Sequence, residues 1–285
     1  MKIAVITGAS SGMGREMVLQ INDRIPNVDE LWLIGRRRER LEALDRMLTK
    51  RTRIFALDLL TEAALSEYAG MLSAEQPEIV FLVNAAGFGC IGSVEQLSCA
   101  EQLNMIDVNV RALTAMCRFS LPYMAKHSRI INFASSASFL PQADFAVYAA
   151  SKSYVLSFSR ALNEELISAG RDCRVLAVCP GPVKTEFFDL AERSGKIPVY
   201  KYLFMADCRK VVKLALMDSV LKKDVSVYGG TMKLLRLGAS LLPHGLLLKA
   251  ERMANYASDK LRNHSTSIED GCLPKTSSSR ASDSK

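Results

Sequence analysis

Tyr148 and Lys152 stand four residues apart in the stretch SSASFLPQADFAVYAASKS, inside a run of helical periodicity. On a helix that spacing places both side chains on one face, a turn apart. A phenol titrates at about pH 10, too high for acid–base work at neutral pH, and a neighbouring ammonium favours the phenolate. Tyr148 and Lys152 could thus form a general acid/base that needs no histidine. Tyr and Lys at this spacing are common on helices, so the surroundings must decide. Here the pair follows an apolar strand-like run, with serines a short distance before it.

A second candidate site lies at the start of the chain, MKIAVITGASSGMGRE. A short apolar run leads into Gly8, Gly12 and Gly14, and a helical pattern follows. A strand, a glycine turn and a helix present orphan N–H groups and a positive dipole end to an anion, and the glycines admit close backbone approach. The spacing is G-x3-G-x-G, which excludes a phosphate-binding P-loop of the Lys-containing kind. In dinucleotide-binding folds an acid about 20 residues past the loop holds the ribose 2′-hydroxyl. Here that count reaches Ile34, Gly35 and Arg36, and the first acid is Glu39. A guanidinium suits a 2′-phosphate instead, through bidentate and stacking contacts. Arg15, a cation in the first turn of a helix, opposes the dipole by about 0.3–1 kcal/mol when exposed, and a bound phosphate would offset this. These residues predict NADP(H) in preference to NAD(H), with Arg15 and Arg36 on the 2′-phosphate, Arg37 beside them, and Arg38 and Arg40 solvated.

The elements that must position these residues alternate. Strand-like runs at 2–6, 30–34, 53–57, 79–83, 129–133, 174–179 and 224–228 are short and apolar on both faces, as in strands buried between two helix layers. Helical patterns lie near 13–25, 38–50, 62–75, 98–126, 145–169 and 206–222. This βαβα repetition predicts an α/β, doubly wound three-layer sandwich, its mostly parallel seven-stranded sheet covered by helices on both faces. No linker interrupts 1–230, which reads as one domain. Residues 231–261 read as an apolar helical extension carrying Lys233, Arg236, Lys249 and Arg252, and 262–285 reads as a disordered polar tail.

Composition narrows the function further. The chain has 285 residues, 49% hydrophobic, enough for a substantial core. Its net charge of +7 is spread out, with no basic arm and no aromatic-interleaved basic stripe, so nucleic acid is not expected as a partner. Seven scattered cysteines without C-x-x-C, and three histidines, give no metal-ligand spacing, so no metal is expected. Free buried thiols fit a reducing cytoplasm. No apolar stretch has spanning length, and the N-terminal run is too short for a signal peptide.

With these motifs in order, the sequence resembles the short-chain dehydrogenase/reductase family, a single Rossmann-type domain, over about residues 1–230. Thr7, Gly8, Gly12 and Gly14 match T-G-x3-G-x-G. Asn84, Ala85, Ala86 and Gly87 match N-N-A-G, with Ala85 replacing the second Asn. Asn109 matches a mid-helix Asn, Tyr148 and Lys152 match Y-x3-K, and Pro180, Gly181, Val183 and Thr185 match P-G-x-V-x-T. The resemblance implies that Tyr148 exchanges a proton with the substrate oxygen and that Lys152 lowers its pKa and holds the nicotinamide ribose. It implies a serine that orients the substrate oxygen. Spacing points to Ser135, thirteen residues before Tyr148, whereas the local S-S-A pattern points to Ser136, which is the expectation adopted. Asn109 would steady a water in a proton relay. Ser10, Ser11, Met13 and Arg15 with the glycines, Arg36 and Arg37, Asp58 at the end of the third strand, 84–87, and Pro180 to Thr185 would line the coenzyme. The loss of the second Asn at Ala85 removes hydrogen bonds between strands, which predicts a local structural cost.

The implied function is NADP(H)-dependent interconversion of a carbonyl and a secondary alcohol on a small, apolar substrate. The alternative is a non-catalytic NADP(H)-sensing module. Phe88, Phe139, Leu140, Gln142, Phe187, Phe188 and Leu190 lie where family pockets are built. Trp32 reads as core, Cys90 as packing and His127 as a solvated helix end. Family resemblance implies a homodimer or homotetramer in the cytoplasm. For 231–261 two readings are open: a cover over the active-site mouth or a partner subunit, or peripheral contact with a membrane surface.

Overall fold

Alternate residues of each central strand point to opposite helix layers, which explains why the strands read as continuous apolar runs. Ile3 and Val5 of β1 (Lys2–Thr7) and Trp32 and Ile34 of β2 (Glu30–Ile34) join one core. Ala4 and Ile6, with Leu31 and Leu33, join the other. The structure is a computed structural model and describes residues 1–187, 205–249 and 252. Phe188, Leu190, Cys272 and the 262–285 tail lie outside the described residues.

The seven strands are all parallel, in the order β3-β2-β1-β4-β5-β6-β7. The remaining strands are β3 (Arg51–Phe55), β4 (Glu78–Asn84), β5 (Met124–Phe133), β6 (Cys173–Val178) and β7 (Val225–Ser226). One face carries α1 (Gly12–Arg24), α2 (Arg38–Asp45) and α7 (Cys208–Val220). The other carries α3 (Glu62–Glu75), α5 (Leu113–Ser120) and α6 (Ala146–Ser168). Strand order reverses between β1 and β4, and in such sheets ligands bind at the carboxyl ends of the strands beside that switch. Register places Thr7, Asn84 and Asn132 side by side there.

Some boundaries differ from expectation. β3 ends at Phe55, so Asp58 lies in the turn beyond the strand, where its carboxylate accepts from Leu60 N at 3.2 Å. The helix expected over 98–126 is α4 (Cys99–Ile106), a π turn (Asp107–Ala112), α5 and a 3₁₀ turn (Leu121–Tyr123) containing Pro122. β5 starts at Met124, so His127 sits within a strand, not at a helix end. It is exposed, with a φ of 61°, and pairs with Asp172.

Helix α8 (Gly230–Leu241) belongs to the compact unit formed by Met1–Leu241. Its Met232 packs on the main core and Ala239 is buried, while Leu234, Leu237 and Leu241 point outward. In the second unit, Leu242–Lys285, residues 244–249 are helical. Among the described residues no helix is long and apolar enough to cross a membrane.

Candidate active site

The carboxyl ends of β1, β4 and β5 are tied together by side chains. Thr7 Oγ1 accepts from the backbone N–H groups of Ala85 and Ala86, each at 3.1 Å. Asn84 Nδ2 donates to Asn132 Oδ1 at 2.9 Å, bridging β4 to β5. That bond supplies a strand-to-strand tie although Ala85 replaces the second asparagine. Asn84 Oδ1 is buried without a protein partner.

The glycine loop is built for close approach. Gly8 has φ +67°, and a Cβ there would lie 2.8 Å from the backbone of Ala85 and Ala86. A Cβ at Gly14 would meet Gly8 O at 2.3 Å, so only glycine lets α1 start against the loop. Ser11 caps α1 with its backbone alone, and the first turn of α1 carries no acid. The helix end therefore keeps donors and dipole available to an anion. Met13 packs partly into the core.

The arginines are arranged differently from expectation. Arg37, not Arg36, reaches the loop: its Nε and Nη2 donate to Ser10 Oγ at 3.4 and 3.3 Å. Arg36 is exposed. Arg37 caps α2, which turns its side chain back toward the loop. Arg15 reaches Met47 Sδ at 3.3 Å. Arg40, expected to be solvated, pairs with Glu186, as does Arg37 Nη1 at 2.9 Å. Glu186 follows Thr185, whose side chain lies 3.5 Å from where a Gly12 Cβ would sit. The chain after β6 thus passes over the glycine loop.

That segment is anchored by Ser136 N, which donates to Pro180 O at 2.8 Å, and by a bridge between Val183 and Ala206. Gly181 is packed against Met232 of α8, whose Sδ would lie 2.7 Å from a Cβ there. Thr185 Oγ1 donates to Val183 O at 3.3 Å.

Tyr148 and Lys152 lie in the first two turns of α6 and are both buried. The Tyr148 phenol is in hydrogen-bonding reach of the Ser135 side chain. That favours Ser135 over the expected Ser136. Ser135 is the extended residue that caps the 3₁₀ turn Ser136–Phe139, and its Oγ accepts from Ala137 N at 3.1 Å. Ser136, inside the turn, is held by its backbone to Pro180. Burial pushes the Tyr148 pKa up to about 12, with the Ser135 hydrogen bond pulling the other way. Burial also pushes the Lys152 pKa down to about 8. Lys152 Nζ donates to Phe133 O at 2.9 Å and lies 5.7 Å from the Tyr148 ring centroid. The expected lowering of Tyr148 by Lys152 is therefore not what dominates; desolvation does.

Asn109 sits in the π turn, buried. Its Nδ2 donates to Phe88 O and Ser151 Oγ, both at 3.0 Å, and its Oδ1 accepts from Phe88 N at 3.1 Å. Its side chain thus clamps the chain leaving β4 onto α6. A Cβ at Gly87 would lie 2.7 Å from Asn109 Oδ1 and 3.3 Å from Lys152 Nζ.

An apolar shell surrounds the tyrosine. Phe145 stacks on it with ring centroids 4.3 Å apart, and Phe187 tilts against it at 5.5 Å. Phe88 and Cys90 pack on the same cluster. Phe139 and Leu140 go to the main core instead. Sequence reasoning missed Phe145 and Glu186. Phe145 carried one signal: it stands three residues before Tyr148, at the start of the same helix.

The sequence matches the short chain dehydrogenase family over residues 2–194. The chain belongs to that family. A curated relative, the NADP-dependent 3-hydroxy acid dehydrogenase YdfG of Salmonella typhi, is 34% identical over 203 residues, 68% of this chain and 80% of that protein. Among solved structures, a short-chain dehydrogenase from Sphingobium yanoikuyae in complex with NADPH superposes with a TM-score of 0.68 at 25% identity, covering 98% of this chain and 99% of that one. A short-chain dehydrogenase/reductase from Burkholderia phymatum in complex with NAD shares the fold, with a TM-score of 0.71 at 23% identity over 83% of this chain and 92% of that one. The short-chain dehydrogenase is therefore an oxidoreductase on a nucleotide-binding Rossmann-like fold. The glycine cradle, the acid-free helix end and the buried unpartnered Asn84 Oδ1 fit a nicotinamide dinucleotide.

Proposed function

We propose that this short-chain dehydrogenase is an NADP(H)-dependent oxidoreductase that interconverts a carbonyl and a secondary alcohol on a small, apolar substrate. The observation that carries the reaction is the juxtaposition of Ser135 and Tyr148 inside an apolar shell, a helical turn from Lys152. Arg37 on the glycine loop supports a 2′-phosphate as the distinguishing anion, in place of Arg15 and Arg36. NADP(H) in the names of the Salmonella and Sphingobium proteins agrees with that choice.

When bound, the nicotinamide supplies or takes up the hydride. Gly8, Gly12, Gly14, Ser10 and Ser11 would hold the pyrophosphate end. Asp58 would meet the adenine edge, and Ala85 to Gly87 with Pro180, Gly181, Val183 and Thr185 would line the rest. The chain's own chemistry is proton transfer. Tyr148, protonated at neutral pH, donates to the carbonyl oxygen as that oxygen gains charge. Ser135 orients the oxygen and stabilises the charge on it. One donor of the Lys152 ammonium is used by Phe133 O, and the others are available to ribose hydroxyls and to a relayed proton. With the Asn109 side chain engaged by Phe88 and Ser151, the backbone around the π turn would steady the relay water.

The test is a panel of apolar ketones, their alcohols and a short 3-hydroxy acid, read by NADPH absorbance with NADH in parallel. Tyr148→Phe should abolish turnover and retain coenzyme affinity. A protein that turns over no member of the panel, yet binds NADPH, is the sensing module instead.

A further inference from the structure

Arg37 divides its guanidinium between two acceptors. Nε and Nη2 face Ser10 Oγ, and Nη1 donates to Glu186 Oε2 at 2.9 Å. The second carboxylate oxygen of Glu186 is taken by Arg40. Arg37 and Arg40 hold the Glu186 carboxyl below the usual carboxylate range. These partners come from distant parts of the chain, 149 residues apart for Arg37 and Glu186. They meet because Thr185 crosses the glycine loop at Gly12.

We propose that Glu186 is a competing anion at the 2′-phosphate end of the coenzyme site, displaced from Arg37 when a 2′-phosphate binds. The proposal rests on the NADP(H) reading above. Glu186 presents to Arg37 the same chemistry as the phosphate would, an oxyanion on the planar fork of a guanidinium. A dianionic phosphate brought to this fork meets the carboxylate as a like charge, so the two cannot both keep Nη1 at full strength. Displacement is feasible because the pair is weak: the Arg37 and Glu186 side chains are 41% and 43% exposed. NADH carries no 2′-phosphate and does not contest Arg37. Glu186 therefore lowers the affinity for NADPH selectively, and sets how strongly the enzyme discriminates between the two coenzymes.

The test is equilibrium titration of the full chain with NADPH and NADH by calorimetry. The variants are Glu186→Gln, Arg37→Ala and the double variant. Glu186→Gln should tighten NADPH about three- to fivefold, the upper strength of one exposed ion pair, and leave NADH within about twofold. In the Arg37→Ala background the same substitution should lose most of that gain. An NADPH preference that depends on Arg37 but is unchanged or weakened by Glu186→Gln overturns the competition alone. An equal gain for both coenzymes also overturns it. A wild-type protein that binds NADH as tightly as NADPH, with no effect of Arg37→Ala, overturns the underlying NADP(H) reading and the proposal with it.

Discussion

Lys152 carries its ammonium into the interior, and that should make it a stability defect that function retains. Burial lowers its pKa from 10.5 to about 8, a difference equivalent to about 3 kcal/mol against the charged form. Replacement by methionine keeps the unbranched stem and removes the charge. It also leaves Phe133 O without the donor now at 2.9 Å, which costs about 1 kcal/mol. The net expectation for Lys152→Met at pH 7 is a gain of about 2 kcal/mol, or about 4–8 °C in Tm for a unit of this size. The sign follows from proton counts. Below pH 8 the lysine is charged in both states, and the folded state bears the whole desolvation cost. Between about 8 and 10.5 the unfolded chain binds the extra proton, so wild-type stability rises with pH through that window. The advantage of Lys152→Met should therefore be largest at pH 7 and shrink toward pH 10.5. Tyr148 shifts the opposite way, losing stability above pH 10, but it is present in both proteins and cancels in the difference. The assay is thermal unfolding of both proteins from pH 7 to 10.5, with turnover measured alongside. A Tm for Lys152→Met equal to or below wild type at pH 7, or an advantage that does not change with pH, would refute the desolvation argument.

Two further outcomes are expected. Ser135→Ala should lower kcat by about 10²–10³, the loss for one donor to a developing oxyanion, while Ser136→Ala, whose anchoring bond is from the backbone, should stay within about tenfold of wild type; single-turnover kinetics under saturating coenzyme separate them, and the reverse ranking would restore the local-pattern reading. Glu30 is 2% exposed, accepts from Trp32 Nε1 at 2.8 Å and pairs with Arg53 at 3.1 Å, so Glu30→Ala should destabilise by about 1–3 kcal/mol through the orphaned indole N–H, while Arg53 keeps Glu75; urea unfolding reads this, and a change below about 0.5 kcal/mol, the size expected of a surface site, would reject it.

The parts of the fold that the sequence discloses are those where burial is two-sided. β1, β2, β4 and β6 are apolar on both faces, and their observed limits fall within a residue or so of the expected ones. β3 was placed two residues late, at 53–57, because it is the sheet edge and Arg51 and Thr52 on it lack the apolar run. The first half of β5 escaped because Ala125, Lys126 and His127 lack the apolar run. In the site, motif spacing was enough for the glycine loop, Tyr148 and Lys152, whose geometry is set within one turn or one helix. It failed where one residue of backbone decides direction. Ser135 and Ser136 differ by which of them begins the 3₁₀ turn, and Arg36 and Arg37 by which of them caps α2. Glu186 could not be found locally, because its partners are set by the crossing of two distant segments.

The surroundings of Tyr148 and Lys152 bear on the chemistry. The aromatic shell that buries Tyr148 raises its pKa, and the same desolvation lowers that of Lys152. Each shift favours the neutral side chain, so burial by itself opposes the phenolate that alcohol oxidation needs. Ser135 is the interaction that draws Tyr148 back toward ionisation, and in the proposed reaction it would also bond the oxygen that the tyrosine protonates. Moving the hydroxyl from position 135 to 136 would thus change both the proton and the orientation of its acceptor. The tuning of the phenol depends on the shell as much as on Ser135. Phe145 and Phe187 are therefore part of the acid–base device, through the water they exclude from the phenol.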